Sequence, residues 1–275
     1  MDYETILTED KDGVATITFN RPDRLNAYIA LLGLELRHAI VNFDHREDIR
    51  AIVVTGAGRA FCAGADLESG ADTFGGQAVM GGTPSALETS DNRPYWEMNT
   101  PIIAAINGPA VGIGLTMPME WDIRIAAEDA KLGFVFTRRG VMPELASNWI
   151  VPRMVGLSRG LELLMTGQII TGREAAAIGL VSKALPAGEV LPAALELARD
   201  IATNVAPVSA AIVKRLIYAN LGEDDRRAAH QRESRLFNWT TKQPDAREGP
   251  VSFVEKRAPQ WKLSKNADFP EELFT

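Results

Sequence analysis

Two short runs of small residues, each directly after an apolar run, constrain this chain most. The first, AFCAGADL at residues 60–67, follows the sequence AIVVTG at 51–56, which has the pattern of a buried strand. Gly64 can adopt backbone angles closed to other residues, and Asp66 is a typical helix N-cap. A strand that ends in such a turn before a helix leaves backbone N–H groups free. These groups suit an anion, or an oxygen that becomes negative during a reaction.

The second run is NGPAVGIG at residues 107–114, and it follows another apolar strand pattern at 101–106. A single strand–turn–helix with small residues is common in α/β proteins and indicates little by itself. Two such turns in one chain predict a site in which backbone N–H groups, rather than side chains, hold a developing negative charge.

Composition and charge exclude several classes of protein. The chain has 275 residues, 46% hydrophobic and 24% charged, which is enough for a large globular core. A net charge of −7 argues against nucleic acid as the main partner. Cys62 is the only cysteine, which excludes an internal disulfide and favours a reducing compartment. With no signal-peptide pattern and no apolar run long enough for a bilayer, we expect a cytoplasmic protein without a membrane partner.

The order of the patterns predicts an α/β fold followed by helices. Residues 14–19 alternate as a half-buried strand, Asn26 is placed to cap a helix with Ile29, Leu32, Leu36 and Ile40 on one face, and a strand follows at 51. Residues 68–93 are glycine-rich and predict a loop that shapes a pocket. From 191 onward only helical patterns remain, which divides the chain into a core at 1–203 and a helical region at 204–275.

Six motifs occur in the order typical of the crotonase superfamily, the enoyl-CoA hydratase/isomerase family, which the chain resembles over nearly its whole length. They are NRP at 20–22 with NA at 26–27, AFCAGADL at 60–67, PIIAAING at 101–108, DIRIA at 122–126, GLV at 179–181 and FVEKR at 253–257. The resemblance implies a spiral core of repeated ββα units. It also implies a C-terminal helical region that mediates trimers, often paired into hexamers. The implied substrate is an acyl-CoA thioester, with no metal and no cofactor apart from the coenzyme A that the substrate carries.

The resemblance also implies a set of site residues. In this family two backbone N–H groups hold the thioester carbonyl, and by motif position they belong to Ala65 and Ile113. Lys256 lies where basic residues of the family reach the CoA phosphates of a neighbouring subunit. The residues implied to contact substrate or CoA are Arg24, Leu25, Ala27, Ala63, Asp66, Leu67, Gly112, Thr116, Phe136 and Lys256.

One departure from the family pattern decides which chemistry we expect. Hydratases of the family carry two catalytic carboxylates, and Thr116 and Phe136 stand at those positions here. Some isomerases of the family place one carboxylate a few residues further on, where this chain has Glu144. The chain therefore resembles the single-carboxylate isomerases, with Glu144 as base. The apolar residues Phe136, Val141, Met142 and Leu145 are expected to desolvate Glu144 and raise its pKa.

Other interpretations remain open from the sequence. Glu144 could be an acid in the first turn of a helix after Pro143, where the helix dipole favours it, and Glu120 is a reserve candidate for an acid. Arg138 and Arg139 have the pattern of a solvated turn. The protein could also be a hydratase, an enzyme of another crotonase reaction such as retro-Claisen cleavage, or an acyl-CoA-binding protein with little catalysis. Subunit contacts are predicted on the apolar residues Leu216, Ile217, Leu236, Phe237 and Trp239.

Overall fold

A six-stranded sheet forms the centre of the molecule. The computed structural model describes residues 2–68, 70, 87 and 89–274. The sheet contains β1 (Ile6–Lys11), β2 (Val14–Phe19), β3 (Ala51–Gly56), β4 (Ile102–Ile106), β6 (Ile123–Ala127) and β9 (Lys183–Leu185), in that spatial order. β1 is antiparallel to β2, and every other neighbouring pair is parallel. The predicted crossover from strand to helix to parallel strand is therefore confirmed for β2 and β3.

A second, three-stranded sheet contains β5 (Ala110–Val111), β7 (Lys131–Gly133) and β8 (Ile169–Thr171). The chain alternates between the sheets: β4 in the large sheet is followed by β5 in the small one, and β6 is followed by β7. This repeat is the α/β spiral of ββα units that the family resemblance implied. The strands β1, β5 and β8 gave no sequence signal, because two are only two or three residues long and β1 is exposed at five of its six residues.

Helices surround the sheets. The core holds α1 (Ala30–His45), α2 (Ile113–Met119), α3 (Ser147–Val155), α4 (Leu157–Thr166), α5 (Gly172–Ala177) and α6 (Ala187–Asn204), and α7 (Pro207–Leu221), α8 (Arg226–Thr240) and α9 (Asp245–Glu255) follow. Short 3-10 helices occur at Pro22–Arg24, Tyr95–Glu97, Val135–Arg139 and Glu271–Leu273. None of the helices in this described part of the chain is both long and apolar enough to cross a membrane.

Two expectations about the N-terminal part of the core are wrong. Strand β2 is buried on both faces, since α1 and α6 both pack against it; only Thr18 is partly exposed. Asn26 does not cap α1, which begins at Ala30. Its side chain is fully buried and joins two turns: the amide donates to the carbonyls of Ala57 and Ala60, and the oxygen accepts from the N–H of Arg21. Asn26 therefore holds the first small-residue run in place from a distance of more than thirty residues.

The C-terminal region has an apolar cluster of its own. Val208, Ile212 and Leu236 form its buried centre, with Leu216 and Trp239 packed against it. Of the five residues predicted to contact other subunits, Leu236 is therefore buried within its own chain and Leu216 and Trp239 are partly buried there. Only Ile217 and Phe237 are exposed, at 57% and 66%.

Polar contacts of two lysines connect the C-terminal region with the core. Lys214 pairs with Asp122 at 2.9 Å and donates to the carbonyl of Thr100 at 3.0 Å. Lys265 is buried and donates to the carbonyl of Asp44. The predicted division at residue 203 stays a prediction, but a separate cluster joined to the core by one ion pair and by buried hydrogen bonds is compatible with it. Most of the predicted loop at 68–93 lies outside the described residues.

Candidate active site

The first small-residue turn leaves one backbone donor free. The segment after β3 runs beside Tyr28, whose N–H donates to Gly64 O at 2.7 Å and whose carbonyl accepts from Asp66 N at 2.9 Å. These two bonds form a parallel bridge between Tyr28 and Ala65, so the N–H of Ala65 points away from Tyr28. Within the described part of the chain that N–H has no hydrogen-bond acceptor.

The turn itself differs from the prediction in one respect. No helix begins at Asp66; its carboxylate accepts from Glu68 N at 3.2 Å and pairs with Arg21 at 3.1 Å. The free donor at Ala65 therefore comes from the bridge pattern rather than from a helix start.

The second turn supplies a free donor at the start of α2. Ile113 is the first residue of this helix, and its N–H has no acceptor among the described residues. The left-handed backbone angle falls on the preceding Gly112, with φ at 56°. Ile113 itself avoids that conformation, so the branched side chain at this position, where the family commonly has glycine, is accommodated. A helix N-terminus also adds a partial positive charge beside the donor.

The two turns lie against each other, and the small residues make this possible. Cys62 and Ala110 form a bridge, and Val111 N donates to Cys62 O at 3.0 Å. A Cβ atom on Gly64 would lie 2.9 Å from the carbonyl oxygen of Val111. The close approach places both free donors on one cavity of about 600 Å³. Among the predicted site residues, the cavity is lined by Ala63, Ala65, Asp66, Leu67, Gly112, Ile113, Phe136 and Glu144.

Glu144 lines this cavity and lies in a turn whose backbone is strained. Helix α3 begins only at Ser147, so the interpretation of Glu144 as an acid in the first turn of a helix is wrong. The next two residues, Leu145 and Ala146, have left-handed φ values of 53° and 50°. Non-glycine residues adopt these angles at a cost of about 1–2 kcal/mol each, and such strain concentrates at functional sites. The hydroxyl and N–H of Ser147 both donate to the carbonyl of Glu144, at 2.7 and 3.1 Å, and fix the turn.

Burial controls the charge of Glu144. Its surroundings raise the pKa of the carboxyl above the ordinary value, and a hydrogen bond from the Thr116 hydroxyl to Oε1 acts in the opposite direction. The predicted desolvation by Phe136, Val141 and Met142 agrees with this, since all three line the same cavity. Leu145 instead faces a second cavity. Thr116 lies just behind the first cavity and contacts the carboxylate rather than the cavity space.

Known proteins share this fold and have similar sequences. The sequence profile described as enoyl-CoA hydratase/isomerase matches residues 9–264. This chain belongs to the enoyl-CoA hydratase/isomerase family. It is therefore an enzyme of the crotonase superfamily, whose members act on acyl-CoA thioesters.

Three comparisons show the range of the family to which the chain is similar. An enoyl-CoA hydratase of Alternaria alternata is 37% identical over 256 residues, which are 92% of this chain and 84% of that protein. A 1,2-epoxyphenylacetyl-CoA isomerase of Escherichia coli is 30% identical over 94% of this chain and 98% of its own. The crystal structure of a probable enoyl-CoA hydratase/isomerase from Mycobacterium abscessus superposes with a TM-score of 0.85. It is 38% identical and covers 94% of this chain and 98% of that one.

Besides Thr116, four residues implied by the family resemblance do not line the cavity of their own chain. Arg24 pairs with Glu68, which does line it, so the guanidinium lies beside the mouth. Leu25 and Ala27 contribute carbonyls that hold Ala63 and the Arg21 side chain. Lys256 is exposed at the C-cap of α9, and its contact with CoA in a neighbouring subunit stays a prediction.

Sequence reasoning did not assign Arg21, Tyr28 or Arg139 to the site, although all three line the cavity. Arg21 and Arg139 bring two guanidinium groups to the lining, and Tyr28 adds a buried phenol. The signal for Arg21 was present, because it lies in the NRP motif, and Arg139 was interpreted as part of a solvated turn. Tyr28 had no signal. Burial, and then the charge of Glu144, raise the pKa of its hydroxyl, which places it in the electrostatic surroundings of the carboxylate.

Proposed function

We propose that this enzyme shifts the double bond of a 3-enoyl-CoA to the 2-position, with Glu144 as the base. One observation carries the proposal. Glu144 is a partly desolvated carboxylate that lines the same cavity as the free N–H groups of Ala65 and Ile113. A general base works best when its pKa is raised toward the working pH, and burial acts on Glu144 in that direction.

The reaction needs only one proton-transferring group. Glu144 takes a proton from the α-carbon of the thioester, and the electron pair of that C–H bond delocalises into a dienolate. The Ala65 and Ile113 N–H groups donate hydrogen bonds to the dienolate oxygen, where the negative charge develops. The protonated carboxyl then returns its proton to the γ-carbon, the thioester carbonyl re-forms and the double bond lies between the α- and β-carbons.

The side chains at Thr116 and Phe136 support isomerisation over hydration. Neither can act as an acid or base, and Phe136 is buried beside Glu144 in the cavity lining. A hydratase must activate a water molecule and also protonate carbon, which calls for two groups. An apolar ring beside the base excludes the water that hydration would consume.

Hydration is the second candidate, because a second carboxyl lies near. Burial, together with the charge of Glu144, raises the pKa of Glu120 to about 7, so this group can hold a proton at neutral pH. A related protein named as an enoyl-CoA hydratase also favours this candidate.

Mass spectrometry with two substrates distinguishes isomerisation from hydration. A 3-enoyl-CoA and a 2-enoyl-CoA are incubated separately in heavy water. Isomerisation of the 3-enoyl-CoA is expected to yield the conjugated thioester with deuterium at the α- or γ-carbon and no added water. Efficient addition of water to the 2-enoyl-CoA, without isomerisation of the 3-enoyl-CoA, would contradict the proposal and favour hydration.

We also propose that the chain assembles as a trimer or a pair of trimers through its C-terminal helices. Phe237, Phe253 and Val254 are 66%, 85% and 77% exposed in the single chain, which is unusual for large apolar side chains in a soluble monomer. Light scattering at micromolar concentration should give a mass of three or six chains. A mass of one chain would refute the assembly and, with it, the contact of Lys256 with CoA of a neighbouring subunit.

A further inference from the structure

A second cavity of about 300 Å³ lies behind the turn that carries Glu144. Leu145 and Ala146, which directly follow Glu144, form one wall, and Met119 and Glu120 at the end of α2 form another. Large apolar side chains complete it: Trp96, Trp149, Ile150 and Tyr218. We call this space the distal cavity. Its lining is that of a pocket for an apolar chain, with one carboxyl group in it.

Helix α2 connects the distal cavity with the reaction site. Thr116, which hydrogen-bonds to Glu144, and Glu120 are four residues apart and so lie on the same face of the helical path. From Ile113, the proposed donor to the thioester oxygen, to Glu120 the helix advances about 10 Å. An acyl chain of about eight carbons that leaves the thioester and follows α2 covers this length.

The carboxyl of Glu120 is the group that makes the distal cavity unusual. Its side chain forms no hydrogen bond with any described residue and is only partly exposed to water. Arg37, whose charge acts to lower the pKa of Glu120, donates to the carbonyls of Asp91 and Arg93 and stacks on Tyr95. Another polar group of the cavity, the Tyr218 hydroxyl, donates to Trp121 O at 3.2 Å.

An unpaired carboxyl discriminates between ligands. A purely apolar chain in the distal cavity would leave Glu120 without a partner and would remove its remaining contact with water, which costs free energy. A hydroxyl group at the far end of the chain would donate a hydrogen bond to the carboxylate, or accept one from the carboxylic acid. Sites built to hydrogen-bond a substrate hydroxyl reject the analogue that lacks it.

We propose that the distal cavity receives the far end of the acyl group and that Glu120 selects chains that carry a hydroxyl group there. This inference rests on the acyl-CoA reaction proposed above and specifies its substrate as a hydroxylated acyl-CoA of medium length. Glu120 is then a specificity-determining residue that contacts the chain and takes no part in proton transfer at the α-carbon.

Binding of unreactive saturated ligands tests the inference apart from catalysis. Octanoyl-CoA and 8-hydroxyoctanoyl-CoA are titrated by calorimetry into the wild-type protein, Glu120→Gln and Glu120→Leu. The wild type should bind the hydroxylated ligand at least about tenfold more tightly. Glu120→Gln keeps a hydrogen-bonding group of the same shape and should retain most of this ratio. Glu120→Leu should bind octanoyl-CoA at least as well as the wild type and lose the preference for the hydroxyl.

A Glu196→Leu variant makes the same substitution at an exposed position of α6 and should leave the ratio unchanged. Equal affinities of the wild type for the two ligands would overturn the inference, and so would an unchanged ratio in Glu120→Leu. Tighter binding of 8-aminooctanoyl-CoA than of the hydroxylated ligand would overturn the assignment of a hydroxyl. A tenfold binding preference in a protein that does not isomerise a 3-enoyl-CoA would refute the proposed reaction and leave this inference standing, because the saturated ligands contain no double bond and test binding alone.

Discussion

Asp44 and Glu144 are two carboxylates taken out of water in different ways. Asp44 is fully buried and accepts hydrogen bonds from the N–H groups of Asn99 and Thr100, at 3.0 and 2.8 Å, and from the Thr100 hydroxyl at 2.8 Å. Arg93 adds an ion pair at 3.0 Å. Glu144 accepts one side-chain hydrogen bond, from Thr116, and burial raises its pKa.

Other carboxylates follow the same division. Glu35 is buried and accepts from Glu4 N and from both the N–H and the hydroxyl of Thr5. Glu120 accepts from none of the described residues. Asp44 and Glu35, which join segments of the chain, are therefore well satisfied, whereas Glu144 and Glu120, which face the two cavities, accept one side-chain hydrogen bond and none. A group that is neither fully solvated nor fully paired is free to exchange a proton or to bind a ligand.

Substitution of Glu144 should give the largest effect on function. Glu144→Gln removes the base and keeps the shape, so turnover of a 3-enoyl-CoA should fall about 10²- to 10⁴-fold. Affinity for a saturated acyl-CoA should change little, because the backbone donors remain. Stability at neutral pH should not decrease, since the variant no longer carries an ionised carboxylate in a desolvated position. Steady-state kinetics, calorimetry and urea unfolding measure the three quantities.

Glu196→Gln, at an exposed site on α6, is the matched control and should match the wild type in all three measurements. Near-full turnover in Glu144→Gln would exclude Glu144 as the base.

Substitution of Asp44 should have the opposite effects: stability should fall and turnover by the folded protein should stay unchanged. Asp44→Asn removes the charge that pairs with Arg93 and gives up one of the acceptor positions, so the free energy of unfolding should fall by about 2–4 kcal/mol. The folded fraction should keep its turnover number. The control is Asp10→Asn, which breaks an ion pair with Arg46 in which both side chains are 40% exposed, and it should cost less than about 1 kcal/mol. Equal losses in the two variants would show that the buried network contributes no more than a surface pair.

The turns that carry the backbone donors could be predicted from the sequence, but the contacts of the side chains around them could not. Small residues in two strand–turn patterns predicted free backbone N–H groups, and the family resemblance implied that these belong to Ala65 and Ile113. The fully paired Asp44 had no local sequence signal, since its partners lie about 50 residues away in the chain and are joined only by the fold. Asn26 had the sequence pattern of a helix cap and serves instead to join two turns, because tertiary contacts outweigh local preference.

Within the candidate site, the conformation around Glu144 also could not be predicted from the local sequence. Proline followed by an acid is a normal helix start, and the left-handed angles at Leu145 and Ala146 cannot be inferred from residues that rarely adopt them. The environment of Glu120 also depends on distant segments, since Trp96, Trp149 and Tyr218 meet at it from three parts of the chain.

Substitution of Glu120 should give a smaller effect, which appears in the pH dependence of the free energy of unfolding. Because the pKa of Glu120 is raised to about 7 in the folded protein, its neutral form favours folding below about pH 4.5, and this contribution is lost as pH rises through about 7. Glu120→Gln is neutral throughout, so it should gain stability relative to the wild type between pH 5 and 8, by up to about 3 kcal/mol. Glu144 and Arg37 face Glu120 and remain in both proteins.

Urea unfolding at pH 5, 6, 7 and 8 measures this difference, with Glu196→Gln as the exposed control. A constant difference between wild type and Glu120→Gln across that range would show that Glu120 stays solvated.

Substitution of Thr116, whose hydroxyl donates the one side-chain hydrogen bond to Glu144, should give the smallest effect on activity. The Thr116 hydroxyl stabilises the ionised carboxylate, so Thr116→Val should raise the pKa of Glu144 further. The acid limb of kcat/KM against pH should then move to higher pH, which lowers activity by up to about tenfold below the limb and little above it. Thr116→Ser keeps the hydroxyl and should leave the limb in place. If Thr116→Val lowers activity equally at all pH values, Thr116 positions the cavity wall and does not control the charge of the base.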